Sequence, residues 1–133
     1  HNDGNDYNIL VNEQGETSGI IDFGDMCYSY QVAEPAVAMA YVVLDTGDLF
    51  KSMGQVLKGY HKSFQLSEME LKFAIYLVCL RLSISVTMSA YRKKLFPLNE
   101  YITVSESPAL EFLRYMRYQD LIQWSKELYD FAC

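Results

Sequence analysis

The side chains most able to do chemistry lie in the first 25 residues. His1-Asn2-Asp3-Gly4-Asn5-Asp6-Tyr7-Asn8 sets an aspartate two residues after a histidine and an asparagine five residues after that aspartate. Asp22-Phe23-Gly24 follows, fourteen residues beyond Asn8. A carboxylate such as Asp3 can accept the proton of a hydroxyl nucleophile. The amide oxygen of Asn8 and the carboxylate of Asp22 are hard donors of the kind Mg²⁺ takes, usually alongside substrate phosphates. Those roles together are what phosphoryl transfer requires, because that reaction rests mostly on positioning and on neutralising charge. His1 suits a structural hydrogen bond within the loop better than the role of base.

Each element alone is a weak signal, since Asp-rich loops are usually solvated turns. The combination is specific because it sets order, spacing and the intervening structure at once. H-x-D-x-x-x-x-N followed by D-F-G is the pattern of a kinase catalytic loop and its magnesium-binding segment.

These residues need elements to hold them. Residues 8–22 read as a β-hairpin: Asn8-Ile9-Leu10-Val11 and Gly19-Ile20-Ile21-Asp22 are β-prone, and the polar stretch Asn12 to Ser18 between them contains Gly15. Everything after Gln31 reads as helical. Ala33 to Asp45 is apolar on all sides, carries Pro35 in its first turn and ends at Thr46 and Gly47. Asp48 N-caps a second helix whose apolar face is Leu49, Phe50, Met53, Val56, Leu57, Tyr60 and Phe64. Ser67 and Glu70 form a capping box for a third helix, running to about Lys94 and expected at the centre of the core. Within it Ser83, Ser85, Thr87 and Ser89 alternate with a period of two, which favours a strand locally, and the helical pattern around them outweighs it. Pro97 and Pro108 bracket a connector, Leu98 to Ser107. Ser107 as N-cap and Pro108 as first helical residue then open one or two helices over 109–132.

The sequence is similar to the phosphotransferase enzyme family, which includes aminoglycoside phosphotransferases, choline and ethanolamine kinases, type II homoserine kinases and hydroxylysine kinases. His1 to Val11, with Gly19-Ile20-Ile21-Asp22-Phe23-Gly24-Asp25, most resembles the homoserine kinase and hydroxylysine kinase types. The resemblance is strong over residues 1–45 and weaker beyond, where Tyr101 to Pro108 resembles a family connector. It implies a mainly α fold, the C-terminal lobe of a protein-kinase-like architecture: residues 1–30 as catalytic loop, hairpin and DFG-like segment, and residues 31–133 as a helical bundle. It implies Asp3 as catalytic base and Asn8 and Asp22 as magnesium ligands, with ATP as co-substrate and a small-molecule alcohol as acceptor. Amino alcohols and hydroxy amino acids such as homoserine or hydroxylysine are the expected acceptors.

Two departures matter. Many members carry a second histidine where this chain has Asn5, which argues against an aminoglycoside acceptor. Glu34 falls near a position where many members have an aspartate that braces the catalytic loop, and it is expected to support the site in the same way. Asp25 has two readings, a substrate-facing anion or a solvated loop carboxylate. Arg81, a charge inside an apolar helix, is expected to pair with a core carboxylate rather than to meet substrate.

Composition bounds the rest. A chain of 133 residues with half of them apolar suits one domain with one core. The net charge of −6 argues against a nucleic-acid binder. Cys27, Cys79 and Cys133 have no metal or disulfide spacing, which fits a reducing, cytoplasmic setting. The longest apolar run, Phe73 to Leu80, is far short of a membrane span, so no membrane association is expected. No glycine-rich phosphate loop and no strand lysine of the V-A-I-K type occur. The resemblance implies that both belong to an N-terminal lobe outside this chain. Nucleotide binding by this chain alone is then expected to be weak, and surface that such a lobe would cover is expected to favour self-association. The alternative is a non-catalytic, kinase-like interaction domain of a multidomain protein.

Overall fold

The computed structural model describes residues 1–98 and 106–133, and the larger part of the expected connector therefore lies outside the described residues. The chain opens with a loop and a short antiparallel hairpin and continues as helices. Strand β1 (Ile9–Val11) pairs with β2 (Thr17–Ile20), with Ile9 opposite Ile20 and Leu10 opposite Gly19. The register shifts between Leu10 and Val11, so that Val11 meets Thr17. Asn12 builds the turn: its Oδ1 accepts from the Gln14 and Glu16 amides. Gly15 supplies the positive φ of 79° that the turn requires. The second strand starts and ends two residues earlier than the β-prone run suggested. Asp22 leaves the ladder because it adopts left-handed backbone, φ 61°.

The helices are α1 (Ala33–Val42), α2 (Leu49–Ser63), α3 (Glu68–Leu95), α4 (Glu106–Met116) and α5 (Leu121–Ala132). Helix α1 carries Pro35 in its first turn and buries Ala36, Val37, Met39 and Ala40, as an all-apolar helix must. It ends at Val42, a turn earlier than Thr46 and Gly47 suggested. Helix α2 is capped by Asp48, whose carboxylate accepts from the Lys51 amide, and it buries Met53 and Leu57. Phe64, at the end of its expected apolar face, is exposed. Gly54 is where α2 and α5 close on each other: a Cβ there would lie 2.7 Å from the Phe131 ring.

Helix α3 is the central one, packed against α1, α4 and α5. Its capping box forms as expected, with the Glu70 amide donating to Ser67 Oγ and the Ser67 amide donating to Glu70 Oε2. Leu71, Ala74, Ile75, Val78 and Leu82 are buried. The period-two Ser/Thr run stays helical because Ser83 Oγ bonds the Cys79 carbonyl and Thr87 Oγ1 the Ser83 carbonyl, so their polar groups are satisfied within the helix. The count of consecutive apolar residues understated this helix. It is long and apolar enough to cross a membrane by length and composition, although its buried stripe faces other helices of the bundle.

The C-terminal stretch is two helices. Asp120 divides them by accepting from the Ile122 and Gln123 amides as the N-cap of α5. Helix α4 begins at Glu106, so Ser107 and Pro108 sit inside its first turn, and Ser107 Oγ bonds Glu111. Ser125, buried on α5, donates to the Lys72 carbonyl of α3 at 2.7 Å. Phe50 makes edge-on ring contacts with Trp124 and Phe131 at the α2–α5 seam, and Tyr115 of α4 meets the Trp124 ring, also edge-on.

The core therefore belongs to the helices. The hairpin and the segment after it leave Leu10, Val11, Ile21, Phe23, Met26, Tyr28 and Tyr30 exposed. Cys27 and Cys133 are exposed free thiols, and burial raises the thiol pKa of the half-buried Cys79.

Candidate functional site

The site is the loop 1–8 with the residues that hold it. Asn5 organises it locally. Its Oδ1 accepts from the Tyr7 and Asn8 amides, capping a single 3₁₀ turn over Asp6–Asn8. Its Nδ2 reaches back to Asp3, 3.3 Å from the carbonyl and 3.1 Å from Oδ2. Asn8 does the same from the far end of the turn, its Nδ2 lying 2.9 Å from both the Asp3 carbonyl and Oδ2. Both asparagines are buried, and their amide groups find these partners inside the loop.

The other Asp3 oxygen faces the helices. Tyr41 of α1 donates its hydroxyl to Oδ1 at 2.7 Å. Arg81 of α3 brings Nη2 to 3.6 Å from the same oxygen and donates to the Tyr41 hydroxyl at 3.3 Å. The guanidinium lies over the Tyr41 ring, 5.8 Å from its centroid. Burial, reinforced by the hydrogen bond to Asp3, raises the Tyr41 pKa, so the phenol stays a donor at neutral pH. Asp3 thus receives amide donors on one oxygen and a hydroxyl donor on the other, which the guanidinium approaches as an ion pair. Its side chain remains 20% exposed and that of Arg81 30%.

Glu34, in the first turn of α1, holds the start of the loop. Its Oε2 accepts from the Asn2 amide at 2.8 Å and from the His1 backbone nitrogen at 3.0 Å. Gly4 lies beside it, where a Cβ would make an ordinary contact, 3.4 Å from Glu34 Oε1. His1 turns its ring toward the DFG segment. Nε2 contacts the Ile21 carbonyl at 2.8 Å, and the ring packs edge-on against Phe23. The hairpin closes the arrangement, because the Ile21 amide bonds the Asn8 carbonyl and so sets Asp22 beside the loop.

Two non-glycine residues have positive φ among the described residues, Asn2 at 64° and Asp22 at 61°, and both lie in this site. Such backbone persists where surroundings over-determine it, commonly at functional sites. The Asp22 carboxylate is exposed and accepts from the Gly24 amide at 3.4 Å. Asp25 contributes its carbonyl, 3.4 Å from Asn2 Nδ2. Among the described residues no cluster of three His, Cys, Asp or Glu side chains forms a metal cage. Asn8 is buried within the loop, and Asp22 lies exposed on the segment that follows the hairpin.

The sequence reading named His1, Asp3, Asn8, Asp22, Asp25 and Glu34, and the fold brings the first four and Glu34 around one loop. It missed Tyr41, which sits in an apolar helix whose sequence carries no sign of a polar role. It read Asn5 as a departure from a family pattern, where the structure makes it the organiser of the turn. Arg81 pairs with a carboxylate, and that carboxylate is Asp3.

The model of the phosphotransferase enzyme family matches residues 1–70, which include the loop, the hairpin, α1 and α2. The chain belongs to the phosphotransferase enzyme family. Hydroxylysine kinase of Mus musculus is 36% identical over 123 residues, an alignment covering 86% of this chain and 33% of that protein. The Xenopus laevis hydroxylysine kinase is 33% identical over 124 residues, covering 86% and 33%. That of Danio rerio is 31% identical over 118 residues, covering 85% and 33%. The chain spans about a third of the length of these relatives. No solved structure matches. Within the family match lie Asp3, Asn5, Asn8, Asp22, Glu34 and Tyr41, whereas Arg81 lies beyond it.

Proposed function

We propose that this chain is the catalytic and acceptor-binding lobe of an ATP-dependent kinase that phosphorylates the hydroxyl of a small molecule. The observation that carries the reading is the Asp3 carboxylate. Two amides orient it through one oxygen, and a hydroxyl already donates to the other at 2.7 Å. An acceptor alcohol on Oδ1 would give its proton to Asp3 as its oxygen bonds to the γ-phosphorus. The bond from that phosphorus to the β–γ bridging oxygen would break, and a nucleoside diphosphate would leave.

Asn8 and Asp22 suit Mg²⁺ in donor chemistry. The Asn8 Nδ2 hydrogens are spent on Asp3, which leaves Oδ1 as the side of the amide available to a cation. Asp22 presents an exposed carboxylate on the neighbouring segment. Two protein oxygens with phosphates and water are an ordinary Mg²⁺ set, and the bound ion would neutralise charge on the phosphates. His1 and Glu34 support the loop, and the exposed Asp25 carboxylate would serve as a partner for an amino group of the acceptor. The nucleotide clamp belongs to polypeptide outside this span, consistent with relatives three times as long. The similarity to hydroxylysine kinases makes hydroxylysine the first acceptor to test.

The test is an activity screen of the full-length protein with Mg-ATP against hydroxylysine, homoserine, choline, ethanolamine and aminoglycosides. Turnover of a hydroxy amino acid or amino alcohol is expected, with Asp3→Asn slower by about 10²- to 10⁴-fold. An Asp3→Asn protein of undiminished activity would refute the assignment of the base. Calorimetry of this chain with Mg-ATP addresses the clamp: weak binding is expected, and micromolar affinity would show that the chain holds its own nucleotide site.

A further inference from the structure

Resting on the reading of Asp3 as proton acceptor, we infer that Arg81 binds a carboxylate of the acceptor, so that the substrate carries both a hydroxyl and a carboxylate. The two sides of Asp3 divide the labour. Oδ2 is filled by the amides of Asn5 and Asn8, so an incoming hydroxyl must approach Oδ1. That oxygen faces Tyr41 and Arg81. Phosphates arriving with Asn8 and Asp22 would lie toward the other oxygen, which puts Arg81 on the acceptor's side.

Arg81 is under-used where it stands. A guanidinium has five N–H donors in a planar fork. The one hydrogen bond it donates among the described residues runs to the Tyr41 hydroxyl at 3.3 Å. Its approach to Asp3, 3.6 Å, is longer than a hydrogen bond. Its Nε is buried and has no hydrogen-bond partner among the described residues. Asp3 already has three closer donors, in Asn5, Asn8 and Tyr41, so holding the base does not exhaust the cation. The side chain is 30% exposed and its Nη2 lies 3.6 Å from Oδ1. A planar carboxylate fits the open fork in bidentate fashion, a match that an alcohol or an ammonium group cannot offer. Pairing with Asp3 is therefore half of what Arg81 does. The other half selects hydroxy acids over choline, ethanolamine and aminoglycosides, which lack a carboxylate.

The experiment compares hydroxylysine with its decarboxylated counterpart as acceptors for the full-length protein. The wild type is expected to favour hydroxylysine in kcat/KM by roughly tenfold to a hundredfold, the scale of a charge-assisted hydrogen bond. Arg81→Met is expected to bring that ratio close to one, chiefly through KM for the acid. Arg81→Lys keeps the charge without the fork and is expected to fall between. A residue that merely positions Asp3 would slow both acceptors alike, and an unchanged ratio in both variants overturns the inference. So does a raised KM for ATP with the ratio intact, which would assign Arg81 to the transferring phosphate. Equal use of the two acceptors by the wild type removes the inference while leaving the kinase reading in place. Inactivity toward both acceptors and all others in the screen removes the two together. Should Arg81→Met not fold, the wild-type ratio and Arg81→Lys still decide.

Discussion

Tyr41 donates its hydroxyl to Asp3 Oδ1 at 2.7 Å, joining a core helix to the loop across 38 residues of sequence. Neutral donors to a carboxylate contribute more than neutral pairs, and partial exposure reduces the effect here. Tyr41→Phe is expected to cost about 1 kcal/mol in urea unfolding. The raised Tyr41 pKa adds a sign. The folded value lies above the ordinary 10.0, so the contribution is fully present below about pH 10 and is lost as pH rises through the folded value. The difference in stability between wild type and Tyr41→Phe should accordingly shrink in alkaline solution. A difference that grows there would contradict the geometry.

Glu34 holds the loop by accepting from the Asn2 amide, at a residue with positive φ. Glu34→Ala leaves that amide without its carboxylate and is expected to cost about 1–3 kcal/mol. Glu34→Gln keeps an acceptor oxygen and should recover most of the loss. Thermal unfolding of the two variants separates lost bonding from lost charge: equal destabilisation would mean that charge, and not acceptance, holds the loop.

Gly54 gives α2 its approach to α5. A methyl group there would sit 2.7 Å from the Phe131 ring, whose edge-on contact with Phe50 would have to shift. Alanine improves helix propensity by about 1 kcal/mol, and overpacking of this kind costs roughly 1–3 kcal/mol. Gly54→Ala should therefore be neutral to destabilising in spite of the better helix former. Stabilisation by the full propensity gain would show that the Phe131 ring gives way freely.

Glu70 reports on the start of α3 through pH. Its pKa is lowered below the ordinary 4.5 by the Ser67 backbone and side-chain hydrogen bonds. The sign follows: its contribution is present above the ordinary value and is lost as pH falls through the lower folded value. Glu70→Gln should flatten the acid limb of the stability profile by the share due to this one carboxylate. Hydrogen exchange at the first turn of α3 is the local readout, and unchanged protection on acidification in the wild type would count against the capping box.

How much of this was legible in advance depends on the range of each interaction. The hairpin, the Asp48 cap, the Ser67–Glu70 box and the apolar face of α2 are contacts between residues a few positions apart, so their patterns are written locally. The end of α1 and the split at Asp120 were less legible. Both turn on single turns of backbone, where an apolar run carries no stop signal and a lone aspartate looks like a surface charge. The apolar-run count understated α3 for a related reason: polar residues interrupt the run, and Ser83 and Thr87 bond their own helix.

The site divides in the same way. His1, Asp3, Asn8 and Asp22 announce themselves by type and spacing, because the pattern H-x-D-x-x-x-x-N followed by D-F-G is written in two short stretches of chain. By itself the sequence determined that order, the hairpin between the two halves, and membership in a family of phosphotransferases. The tertiary structure alone decided what surrounds Asp3. Tyr41 and Arg81 come from helices 38 and 78 residues away in sequence, and packing of α1 against α3 brings them to one oxygen. A tyrosine and an arginine inside apolar stretches have no local partner to betray them, and only the packing of those helices gives them one.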